Sequence, residues 1–90
     1  MPYINQRDRQ YYQLPPELRL SLNTPGHLNY VFTQVILAYL TNVPVNYQAF
    51  NDCIGALEAC KLELYRRLVC DYENRKITEN GDVYPEEVGR

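Results

Sequence analysis

The chain has no tryptophan, one methionine, one histidine, four glycines and three cysteines in 90 residues. Each scarcity excludes a kind of chemistry. With His27 as the sole imidazole, there is no Glu-x-x-His motif of the type that builds di-iron sites in helical bundles, and no ligand spacing that fits zinc. Cys53, Cys60 and Cys70 are odd in number and include no Cys-x-x-Cys pair. On one helix Cys53 and Cys60 would lie about 10 Å apart, beyond the roughly 7 Å that a disulfide spans. They read as reduced, small apolar side chains. No glycine-rich phosphate loop exists, and Asn80-Gly81 reads as a turn. An excess of positive charge is also missing. Nine Lys and Arg stand against eleven Asp and Glu, a net charge of −2, so the footprint of a general nucleic-acid binder is absent. The longest apolar run, Val35 to Leu40, is far too short to span a bilayer, and MPYINQRDRQ lacks the apolar stretch of a signal peptide. The default expectation is a cytoplasmic protein with no membrane role, no cofactor and no metal.

What is present is a hydrophobic fraction of 46%, which argues against global disorder. Ninety residues make one domain. A domain this small buries only about 60–65% of its unfolded surface and is marginal alone. Asn5 is placed to cap a short helix through Tyr12. Pro15-Pro16 then breaks the chain, and Pro16 suits the first turn of a short helix over Glu17 to Leu22, with Asn23 at its end. Thr24-Pro25-Gly26 is the clearest start signal, Thr24 as N-cap and Pro25 as first helical residue. A helix follows to about Thr41. Leu28, Val31, Phe32, Val35 and Tyr39 lie on one side of it, and Ile36, Leu37, Ala38 and Leu40 nearly close the circle. Such a helix is buried on several sides.

Pro44 forbids its continuation, and Asn46 caps the next helix. That helix is expected from Tyr47 to about Glu79, stopped by Asn80-Gly81. Phe50, Cys53, Ile54, Leu57, Cys60, Leu64 and Leu68 form one apolar stripe, and Leu62, Tyr65, Val69 and Tyr72 a second. Some 33 residues of helix span about 50 Å, whereas a compact chain of this length is about 30 Å across. Either the helix breaks near Asp71–Asn74 or it packs along a partner. Gly55 and Ala59 permit close approach by another helix. The polar tail from Gly81 to Arg90, with Pro85, is expected to be extended or disordered.

The densest polar cluster is Glu58, Lys61, Glu63, Arg66 and Arg67, whose i, i+3 and i, i+4 spacings favour pairing within one face. The alternative use of Arg66 or Arg67 is to bind a phosphate or a partner's carboxylate. Asp52, Glu58 and Glu63 fall on different faces, so no acid–base pair is implied. His27, three residues into a helix start, can donate to an anion there or simply top the helix in water. Nine tyrosines serve interfaces that are apolar at one end and wet at the other, or stack on a nucleobase.

The blocks MPYI at the start, LNYV at 28–31, GALEACKLELYRR at 55–67 and ENGDVY at 79–84 resemble a family of small bacterial and bacteriophage proteins with no assigned activity. The similarity spans most of the chain but not residues 9–25. It implies a cytoplasmic protein with a phage link. By analogy with other small helical phage proteins, two roles follow: sequestering a nucleotide signal of host immunity, or blocking a host protein by contact.

The expected fold is all-α: short N-terminal helices, then a central helix at about 25–41 and a long helix at about 47–79 packed as an antiparallel hairpin that self-associates. Residues 1–80 form the expected helical domain and 81–90 its tail. The expected function is that of a non-enzymatic oligomer holding a small nucleotide-like anion or a host protein. Its candidate ligand-binding residues are Arg66, Arg67, Tyr11, Tyr12, Lys61 and Tyr65. The alternative is a structural or regulatory subunit with no small ligand, whose arginines pair with Glu58 or Glu63.

Overall fold

A computed structural model describes residues 4–85 and 88. The expectations for residues 1–3, including Tyr3 and most of the MPYI block, and for tail residues 86, 87, 89 and 90 lie outside the described residues. The fold is all-α, 78% helical with no strand among the described residues. A 3₁₀ helix, Gln6–Tyr12, is followed by α1 (Pro16–Ser21), α2 (Pro25–Asn42), α3 (Tyr47–Leu64), a π turn (Tyr65–Val69) and α4 (Cys70–Asn80). The chain divides into two compact units, Met1–Cys53 and Ile54–Arg90, and the boundary falls inside α3.

In the first unit, the expected capping by the Asn5 side chain does not form. Its backbone carbonyl instead accepts from Asp8 N at 2.9 Å, the tighter i to i+3 bond of a 3₁₀ helix. None of the seven residues of this helix is buried, so no packed face selects the wider α geometry. In α1, Pro16 occupies the first turn and Arg19 N donates to Pro15 O at 2.9 Å. The element sits one residue earlier than the sequence suggests.

Helix α2 starts where its residues dictate. Thr24 Oγ1 accepts from His27 N at 3.1 Å, and Asn23 N donates back to His27 Nδ1 at 3.4 Å. This is the reciprocal logic of a capping box, with His27 in the place usually held by Glu or Gln. At the far end Val43 is extended, φ −132° and ψ 160°, as the residue before Pro44 must be. Asn46 then caps α3: its Oδ1 accepts from Ala49 N at 2.9 Å. Ala49, 3% exposed, is the one buried residue among those described.

In the second unit the helical path runs on through residue 80 without a break at 71–74. The α geometry is interrupted earlier, at Tyr65–Val69, where Cys70 N donates to Tyr65 O in the i to i+5 pattern of a π turn. Helix α4 stops at Asn80. Gly81 N donates to Ile77 O at 2.8 Å, and Gly81 takes φ +86° and ψ 153°, a conformation reserved for glycine. Past it, Asp82 Oδ1 accepts from Tyr84 N at 3.0 Å, and Val88 N donates to Pro85 O at 3.0 Å.

Replacing Asn46 by alanine removes the α3 cap and is expected to cost about 1 kcal/mol. Asn46→Asp should keep most of it, because the carboxylate accepts the same bond. Thermal midpoints of the two variants beside the wild type check this.

Candidate functional site

The polar cluster is built on the end of α3 and the π turn. Glu63 is its hub. Arg66 and Arg67, three and four residues on, straddle it. Arg66 Nη2 donates to Glu63 Oε2 at 3.0 Å and Oε1 at 3.2 Å, and Arg67 Nε donates to Oε1 at 2.9 Å. The hydrogen bond from Arg66, helped by both positive charges and opposed by partial burial, holds the Glu63 carboxyl below its ordinary value. Lys61 Nζ lies 3.4 Å from Glu58 Oε1.

Tyr65 points the other way along the helix. Its hydroxyl donates to Glu73 Oε1 at 3.0 Å, and that bond, with the nearby carboxylate charge, raises its pKa. Beyond it, Tyr72 lies under two cations, Lys76 Nζ at 5.6 Å and Arg75 Cζ at 6.0 Å from the ring centre, within cation–π range.

The six sequence-predicted residues thus divide. Lys61, Tyr65, Arg66 and Arg67 share one stretch of helix, where each meets a carboxylate of its own unit. Tyr11 and Tyr12 belong to the first unit, on the 3₁₀ helix, 74% and 72% exposed.

The first unit holds two features that the residue pattern did not single out. One is a polar bridge across the 43–46 turn. Asp52 accepts from Tyr39 Oη at 3.3 Å and from Gln48 Nε2 at 2.8 Å. Partial burial, then the Asp52 charge and hydrogen bond, raise the Tyr39 pKa. The only sequence signal was the short Pro-containing connection that brings position 39 to position 52. The other is an apolar cavity of about 260 Å³ at the corner between α1 and α2, walled by Leu18, Ser21 and Leu22 and by Gly26, His27, Tyr30 and Val31. It contains none of the six candidates.

Chemically the arginine cluster is an exposed surface on which Arg66 and Arg67 both pair with Glu63. Among the described residues, no group of three or more His, Cys, Asp or Glu converges as a metal site would require. No helix among them is long and apolar enough to cross a membrane. A family model described as a domain of unknown function (DUF6899) matches residues 1–83. No curated protein and no solved structure matches the chain.

The lowered Glu63 pKa fixes a sign. The charged form is favoured in the fold, so its contribution to stability is present above the ordinary carboxylate range and is lost as pH falls through the lowered value. Acid titration of helicity should therefore show a smaller loss in Glu63→Gln than in the wild type. Equal acid limbs in the two proteins would mean the pairing contributes nothing.

Proposed function

We propose that this chain, which belongs to the DUF6899 family, is a non-enzymatic helical protein that acts by contact, as a homo-oligomer, with α2 and α3 packed as an antiparallel hairpin inside the assembly. One observation carries the reading. Helix α2 is 18 residues long, contains no Asp, Glu, Lys or Arg, and buries none of its residues. A helix that is apolar nearly all round is stable in water only when it is covered. The Tyr39–Asp52 hydrogen bond favours the hairpin, since it ties the end of α2 to the start of α3. Blocking or bridging another protein is the activity this architecture suits, and the resemblance to small bacterial and phage proteins makes a host protein the proposed target.

A second reading, an oligomer that holds a nucleotide-like anion, rests on two guanidinium groups, Arg66 and Arg67, lying side by side around Glu63. Exposed ion pairs contribute only about 0.2–1 kcal/mol, so a phosphate competes with Glu63 on fair terms. Against it, Lys61 and both arginines already have acidic neighbours.

Light scattering on the purified chain, followed by denaturation and mass spectrometry of whatever is released, separates these readings. A mass of two or more chains with nothing released is the expected result. A monomer overturns the proposal. A nucleotide-like species that is released from the wild type, but is missing from the Arg66→Ala/Arg67→Ala variant, moves the function to the second reading.

A further inference from the structure

We infer that Asn80 and Gly81 form a site of spontaneous modification, where Asn80 cyclises onto the Gly81 nitrogen, loses ammonia and is opened by water to aspartate or isoaspartate. The chain has eight asparagines, and Asn80 is the one followed by glycine. The step needs the next residue's amide nitrogen to reach the asparagine's side-chain carbon, and a side chain on that next residue stands in the way. Gly81 has none, and a Cβ built on it would meet no atom within 4 Å, so the approach is open. Both residues are exposed to water, which is the second reactant. Asn80 is the last residue of α4, and Gly81, at φ +86° and ψ 153°, has already left the helix. The pair therefore sits where the backbone turns most freely. Terminal turns open at little cost, so the site reacts while the rest of the chain stays folded.

The step balances with water alone. Gly81 N forms a bond to Asn80 Cγ, the Cγ–Nδ2 bond breaks, and Nδ2 leaves as ammonia with the proton that Gly81 N gives up. Water then opens the five-membered imide at either of its carbonyl carbons. One opening restores the ordinary backbone with aspartate at position 80. The other leaves the chain running through the side chain, longer by a methylene. A single hydrogen bond controls the first step. Gly81 N donates to Ile77 O at 2.8 Å, and that bond must break before the nitrogen can turn toward Cγ. The modification then removes its own control. Either product puts a carboxylate at the negative end of the helix dipole, between Glu79 and Asp82, in a last turn that holds no basic residue. Lys76, one turn back, is already paired with Glu79 at 3.3 Å. The extra methylene of isoaspartate also carries Gly81 N out of register with Ile77 O. The end of α4 is thus a one-way switch from capped to open.

The test ages the full chain at neutral pH, beside the same chain in urea, and follows aspartate and isoaspartate at all eight asparagines by peptide mass spectrometry. Asn80 should convert before any of the others. Urea, which frees the Gly81 amide, should speed that conversion at least about twofold, the low end of what one hydrogen bond supplies. Earlier conversion at another asparagine overturns the site, and equal rates in the two solutions overturn its control by the Ile77 bond. The aged chain should also exchange its Gly81 amide hydrogen faster than the fresh chain. Asn80→Gln, whose cyclisation needs a less favoured six-membered ring, should age with no change there. Gly81 exchange that is the same in aged and fresh wild type overturns the switch.

Discussion

Burial of apolar surface is the constraint on which this molecule turns. Ordering a residue's backbone costs about 1–2 kcal/mol, and the local devices in the chain are small beside that. A cap contributes about 1 kcal/mol and an exposed ion pair less. Helices α2 and α3 are each 18 residues long, little more than the length at which isolated helices are marginal in water. Within one copy the described residues bury a single alanine. Caps, prolines and ion pairs therefore decide where the helices begin and end, while cover for α2 decides whether they persist. In the homo-oligomer that we propose, self-association supplies that cover.

The parts of the fold legible in the sequence are those set by neighbours a few residues apart. Thr24 and Asn46 cap the helices they precede, Pro44 forces Val43 to be extended, and Gly81 ends α4 with a positive φ. The rest turns on small or distant differences. The 3₁₀ form of Gln6–Tyr12 reflects the lack of any buried face, a property of packing and not of those seven residues. The π turn at Tyr65–Val69 adds one residue to a turn in a stretch whose apolar spacing is compatible with an α-helix on either side.

The candidate site follows the same division. Pairing of Arg66 and Arg67 with Glu63, and of Lys61 with Glu58, is local and could be read from i, i+3 and i, i+4 spacing. The Tyr65–Glu73 bond spans the π turn and could not. The Asp52 bridge to Tyr39 depends on how the 43–46 turn closes, and the α1–α2 cavity depends on the corner angle after Leu22. Neither leaves a periodic trace. Tyr11 and Tyr12 suit the same ligand chemistry as the arginines, but no spacing in the sequence joins them to Arg66 and Arg67, and they belong to the other unit.

Thermal unfolding measured by circular dichroism over a hundredfold range of protein concentration tests the central claim most directly. If folded structure depends on a second copy, the midpoint rises steadily with concentration, because association stabilises the folded state by mass action. A midpoint that stays constant across that range would show that one chain covers its own apolar surface, and would contradict the claim.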